Sequence, residues 1–176
     1  MTTLTPTDLA QIAALLRATP HTLRSELTPL DPEILRWRPA AGQWCINEII
    51  GHLIDTDRRA FAGRIQTMIA HNKPQLESWD VNDAVRRRRD AEKPVADLIT
   101  QLETLRSDHA ALVESLTPAQ LARVGVHPKA GQLQVIDFVL EWPYHDRSHL
   151  KQILTIVQRH FWSKMGKIQQ FIDSPE

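Results

Sequence analysis

The spacing of its apolar residues constrains this chain more than any other feature. Between Val95 and Leu116, the positions Val95, Leu98, Leu102, Leu105, His109, Leu112 and Leu116 recur three and four residues apart, which is the period of one face of an α-helix. Pro118 supplies the stop. The same spacing in Leu9, Ile12, Leu16, Leu23, Leu27 and Leu30 predicts a first helix, with a break expected near Pro20, where the ring removes a backbone donor. Ile46, Ile49, Ile50, Leu53, Phe61, Ile65 and Met68 mark a second helix that should end around Ala70 to Asn72, before Pro74. Cys45 stands where Ser or Thr would close a capping box with Glu48, so the spacing of that signal is present and its chemistry is weakened.

A fourth helical stretch runs from about Gln132 to Ile172, with Val135, Phe138, Trp142, His145, His149, Ile153, Ile156 and His160 along one face. Pro143 is expected to kink or divide it. No segment rich in β-branched and aromatic residues alternates with period two, so a sheet is not expected. The fold class read from this pattern is all-α, a four-helix bundle in a single domain over residues 1–176. Its connections are uneven. About twenty residues, from His71 through Lys93, separate helices two and three, long enough to return along a whole helix and set those two helices parallel.

Composition narrows the function. Lys and Arg together number 21, as do Asp and Glu, for a formal net charge of +0. This removes a whole-protein electrostatic case for nucleic acid or an anionic membrane surface, and leaves self-association less opposed by repulsion. The run Arg86-Arg-Arg-Arg89 is followed by Asp90 and Glu92 and reads as a solvated charge run rather than a phosphate contact. No window approaches a membrane span and the N-terminus carries no signal-peptide pattern, so a soluble, cytoplasmic protein is expected. Eight His stand against one Cys. Cys45 alone excludes an intramolecular disulfide and thiolate-cluster sites, so any metal chemistry must be imidazole chemistry.

Trp142-Pro-Tyr-His145-Asp-Arg-Ser-His149 places two histidines four residues apart on one helix face. By itself such a pair is weak, since partly buried histidines also serve as hydrogen-bonded core. A third inward ligand from another helix would strengthen it, and His52 can supply one from the second helix. Three neutral imidazoles suit a borderline ion such as Zn, Ni, Co or Fe and leave a coordination position open. His109 competes for such a role from the third helix's stripe. His21, His71 and His127 fall near turns, and His160 lies several turns beyond His149. Glu48 and Glu141 each precede a candidate ligand by four, with capping or surface pairing as the plainer alternative. Asp55 and Arg59 lie one and two turns beyond His52. Asp146 and Arg147 should point away from the ligand face into solvent. Trp44, Trp142 and Tyr144 are candidates for a pocket wall or for packing, and Cys45 is a poor nucleophile without a partner thiol.

The stretch Gly42-Gln-Trp44-Cys-Ile-Asn-Glu48-Ile-Ile-Gly-His52-Leu-Ile-Asp55, together with Trp142-Pro-Tyr-His145-Asp-Arg-Ser-His149-Leu-Lys-Gln152-Ile, resembles the DinB/YfiT-like superfamily, and the resemblance covers essentially the whole chain. It implies an up-down-down-up bundle, often dimeric, with a divalent metal at a pocket between helices and its three ligands on His52, His145 and His149. It further implies a metal-dependent enzyme, either a thiol S-transferase joining a low-molecular-weight thiol to an electrophile or a related hydrolase. Zn or Ni is the ion expected. A non-catalytic stress-related or interaction protein with a structural metal site is the alternative. Cys45, in place of Ser or Thr after the Trp, and Pro143 depart from the family pattern.

Overall fold

The computed structural model describes residues 4–175. Four long helical stretches carry the mass of the molecule. The first, α1 (Pro6–Leu27), opens on a capping box in which Thr5 and Asp8 satisfy each other's backbone donors. It runs through Pro20 without the expected break. A short α2 (Pro32–Arg36) follows, and then the second long stretch: α3 (Ile46–Thr56), one π-helical segment (Asp57–Ala62) and α4 (Gly63–Ala70), continuous from end to end. The crossover contains α5 (Val81–Arg88) and a 3-10 turn (Asp90–Glu92). The third stretch is α6 (Val95–Glu114), closed by a short α7 (Pro118–Leu121). The fourth, α8 (Val135–Trp162), passes Pro143 as one helix and is followed by a 3-10 segment (Gly166–Phe171).

The expectation of no strands needs correction. β1 (Val124–His127) and β2 (Gly131–Gln134) form an antiparallel hairpin with His127 opposite Gly131. Gly131, at φ +76°, supplies the left-handed conformation that its tight connection requires. Four-residue strands are too short for alternation to register. β1 is also flanked by the crossover, where Leu76 N–H donates to Val126 O and Val126 N–H to Pro74 O, both at 2.9 Å. The last helix therefore starts at Val135, after β2, rather than at Gln132.

Two core clusters give the helix directions. One joins the early part of α1 (Leu9 to Leu16) to Phe61, Ile65 and Met68, to the end of α6 and to the start of α8. The other joins the late part of α1 (Leu23, Leu27) to Ile46 through Ile54, to the start of α6 and to Leu150, Ile153 and Ile156. The second and third stretches thus both run opposite to α1, and α8 runs with it: up, down, down, up. The ion pairs Arg17–Glu114 and Arg24–Glu103, both 2.7 Å, fix the same antiparallel register between α1 and α6. Each fully buried Leu or Ile of these clusters contributes roughly 1.5–3 kcal/mol.

The buried face of α6 is rotated from the predicted stripe, with Leu98, Ile99, Leu102, Arg106, Ala110 and Val113 inside. Arg106 is 1% exposed. Its Nη1 and Nη2 donate to Asp146 at 2.6 and 2.9 Å. Its Nε lies 2.7 Å from Asp57 Oδ1, an ion contact without hydrogen-bond alignment. Asp146 also accepts from Thr19 Oγ1 at 2.6 Å, and Asp57 from Trp142 Nε1 at 3.0 Å. Asp146 therefore does not face solvent as expected. It points away from the histidine face, but α8 is enclosed, and that direction leads into the core. Arg147 likewise turns to α1, donating to Leu15 O at 3.0 Å.

The arginine run behaves as the flanking acids predict: Arg86 and Arg87 pair with Asp83, Arg88 with Asp90, and Arg89 with Glu92. Arg88 is structural, because Asp90 is buried against α3. A Cβ on Gly51 would sit 1.8 Å from Asp90 Oδ2, so only glycine lets the crossover approach this closely beside His52.

Candidate metal centre

His52 occupies the middle of α3, and His145 and His149 sit one turn apart on α8, which α3 packs against. One ring nitrogen from each lies within 4.8 Å of the other two. The Nε2 atoms of His52 and His145 are 3.2 Å apart. A tetrahedral ion with ligand bonds of about 2.0–2.1 Å needs nitrogens roughly 3.3 Å apart, so the donor set fits a divalent transition metal. His149 is oriented by Gln152, whose Oε1 is 2.8 Å from Nδ1; with that proton donated outward, Nε2 keeps its lone pair for the cluster. The Nδ1 of His145 is buried without a partner, and packing holds its ring instead: Phe61 meets it edge-on at 5.2 Å.

Burial keeps these imidazoles neutral. Removal from water, reinforced by the charges of His149 and His145, lowers the pKa of His52 to about 3. Burial, with His149 as the next cause, lowers that of His145 to about 4. Burial also lowers His149, against the raising effect of its bond to Gln152. Neutral rings are the form that ligates metal.

Aromatic walls close the cluster on two sides. Trp44, just ahead of the α3 N-cap, lies 4.9 Å from the His52 ring and 6.5 Å from that of His149, and its Nε1 donates to Asn82 Oδ1 at 3.2 Å. Phe61 stacks on Trp142 at 4.9 Å. Phe61 lies within the π-helical segment, which glycine permits: a Cβ at Gly63 would lie 2.4 Å from Arg58 O. Two clefts adjoin the cluster. One, of about 300 Å³, includes His52, His145, Phe61, Arg64, Trp79 and Glu141 in its lining. The other, of about 600 Å³, lies beyond Trp44 and Gln152 and carries Lys151 and Arg159.

The remaining candidates resolve to other roles. His109 Nδ1 is bonded to Asp57 at 2.6 Å behind the cluster. His127 Nδ1 accepts from the amides of Lys129 and Ala130 in the hairpin turn. His160 packs edge-on against Trp37, and His21 and His71 are exposed. Glu48 orients no imidazole: it accepts from Cys45 N–H at 3.0 Å and from Arg38 at 2.5 Å, completing the half of the α3 cap that does not depend on sulfur. Burial opposes ionisation of Glu48, yet the bonds from Arg38 and Cys45 hold its pKa below the ordinary value. Glu141 makes no bond to His145, Asp55 pairs with Arg59 at 3.5 Å, and Tyr144 is exposed. Sequence reasoning missed Asp57, Arg64, Trp79 and the role of Gln152. The three-residue step from His149 could have flagged Gln152, whereas Arg106 fell outside the predicted stripe of α6 and gave no signal of a buried acid. Nothing local marks Trp79, because only the path of the crossover brings it to the site.

No helix among the described residues is long and apolar enough to cross a membrane. The chain is 23% identical over 143 residues to a protein of Oceanobacillus iheyensis named "Putative metal-dependent hydrolase", covering 81% of this chain and 82% of that one. A protein of Geobacillus thermodenitrificans bearing the same description is 25% identical over 157 residues, covering 88% and 87%. Among solved structures, YfiT from Bacillus subtilis, described as a probable metal-dependent hydrolase with an unusual four-helix bundle topology, superposes with a TM-score of 0.81 at 18% identity, over 92% of this chain and 93% of that one. The family model of the DinB superfamily matches residues 15–153, a span that runs from within α1 to within α8 and includes the three clustered histidines. The chain, with its histidine site capable of binding a divalent metal ion, belongs to the DinB superfamily.

Proposed function

We propose that the protein is a divalent-metal-dependent enzyme whose ion is held by His52, His145 and His149, with zinc or nickel as the ion, and that it carries out either hydrolysis or transfer of a small-molecule thiol to an electrophile. The observation that carries this reading is the convergence of three neutral imidazoles from two helices beside clefts large enough for a substrate. A purely structural ion would be expected in a closed four-ligand site. The described residues supply three His, Cys or carboxylate donors at this point, which favours catalysis over the structural alternative.

A divalent ion in this position supplies Lewis acidity, lowering the pKa of a nucleophile and polarising the bond it attacks. The chain's own residues do the rest. Burial holds the ligating rings in their neutral form, Gln152 fixes the ring of His149, and Trp44 and Phe61 pack against the ligating rings. Cys45 is fully buried, and burial raises its pKa, so any sulfur in the reaction arrives with a substrate.

The test is turnover by chelator-treated protein before and after reloading with zinc or nickel, against activated esters alone and against an alkylating electrophile with a small thiol. Metal-dependent turnover that is lost in His149→Ala is expected. Ester cleavage without thiol identifies a hydrolase, and strict thiol dependence identifies a transferase. Full turnover by the metal-stripped protein would contradict the proposal.

A further inference from the structure

The smaller cleft has an unusual donor balance away from the histidines. Two buried nitrogens lack any acceptor among the described residues: Arg64 Nε and Trp79 Nε1. Among the described residues the Arg64 guanidinium makes no ion pair, and its Nη2 donates to the carbonyl of Glu77 at 2.7 Å. It also lies 5.2 Å from the Trp79 ring. Burial disfavours its charge, and Glu141 and Glu77 offset this only in part. Lys129 and His127 line the same cleft from the hairpin. His127 uses Nδ1 to accept from two backbone amides, so its proton is on Nε2. Among the residues that line the cleft, two cations, Arg64 and Lys129, stand with one carboxylate, Glu141, while Glu77 and Arg59 just outside the lining act on Arg64 with opposite signs. A buried donor left without an acceptor is unfavourable, and a partly buried guanidinium is the side chain best shaped to take a planar carboxylate.

We propose that Arg64, Trp79 and Lys129 form a binding subsite in this cleft for a carboxylate group of the substrate. This rests on the metal-centre reading: a molecule whose carboxylate is seated there shares the cleft with His52 and His145, which also line it. The bearer is a small carboxylic acid, either the electrophile or the thiol. An anion both pairs with the Arg64 and Lys129 charges and accepts from the two unpaired N–H groups.

The test is a titration of the 15N-labelled full-length protein with sodium butyrate and, in parallel, 1-butanol, once metal-stripped and once zinc-loaded. The Trp79 indole N–H and Arg64 Nε–H signals, assigned by their loss in Trp79→Phe and Arg64→Lys, report on the two unpaired donors. Butyrate is expected to shift both saturably and butanol neither. Arg64→Gln should weaken butyrate binding, followed at Trp79, by about tenfold, and Lys129→Gln, an exposed turn position, should weaken it severalfold without disturbing the fold. Signals that ignore butyrate, equal responses to butyrate and butanol, or wild-type affinity in both variants would overturn the subsite. Failure of zinc to bind would overturn the metal reading alone, since the metal-stripped titration still decides the cleft. With zinc-loaded protein saturated by 2-mercaptoethanol, undiminished butyrate binding assigns the carboxylate to the electrophile, and competition assigns it to the thiol.

Discussion

At the scale of single residues, the site is built by burying groups that prefer water and giving each a specific neighbour. His52 is 7% exposed, and its pKa of about 3 means that the folded chain resists protonation there. In the unfolded chain the same ring takes up a proton near its ordinary value of about 6.5. Between those limits the unfolded state binds more protons, so stability falls as pH falls. With His145 behaving in the same way down to about 4, the metal-free protein should lose up to about 2 kcal/mol for each ring between pH 7.5 and pH 5. Urea unfolding at the two pH values checks this, and His145→Gln should show a smaller loss; a wild type equally stable at both would refute it. His52 followed from its inward place on the second helix and from the family resemblance, and His145 and His149 were legible in the sequence because a four-residue step on one helix is a local fact. The fate of Asp146 was not, because helical geometry gives a direction and not what lies there. In this fold that direction ends on Arg106 and Thr19.

At the scale of elements, the second long helix carries the least conventional feature. Its π-helical segment changes the helical phase between His52 and the residues after Ala62, so that Phe61 reaches His145 and Trp142 while Asp57 turns into the core. A period-3.6 reading places the helix correctly from Ile46 to Ala70 and is blind to the added residue. Gly63→Ala tests the segment. A Cβ set 2.4 Å from Arg58 O forces the backbone to move, at a cost of about 1–3 kcal/mol by analogy with overpacked sites. Chemical denaturation should show that loss together with weaker zinc binding, whereas unchanged stability and affinity would mean that the π turn is dispensable. The hairpin was invisible because its strands have four residues each. The two prolines misled in the opposite sense: a break was expected near Pro20 and a kink or division at Pro143, yet α1 continues past Pro20 and α8 is not divided at Pro143. Tertiary packing on both flanks outweighs the local loss of a donor.

At the scale of the whole molecule, one buried polar network ties all four long helices together directly behind the histidines. Thr19 comes from α1, Asp57 from the π-helical segment, Arg106 and His109 from α6, and Trp142 and Asp146 from α8. Burial alone would disfavour the charge of Arg106, but the two carboxylates outweigh it and raise its pKa. Arg106→Met leaves both carboxylates buried without their cation and should destabilise the protein by about 3–5 kcal/mol, measurable by urea unfolding; a loss under 1 kcal/mol would show that the network is not needed for stability. The bundle's class and its long crossover followed from periodicity and loop length. The network did not, because its members are separated by up to 127 positions and meet only in the up-down-down-up arrangement. That same arrangement sets α3 against α8 and brings His52 to His145 and His149. The most direct test is the metal content of untagged protein purified without added metal, beside His52→Ala and His149→Ala variants shown to be folded. Close to one divalent ion per chain in the wild type, lost in both variants, is the predicted result; equal metal content in all three proteins, or no uptake by wild type offered zinc or nickel, would contradict it.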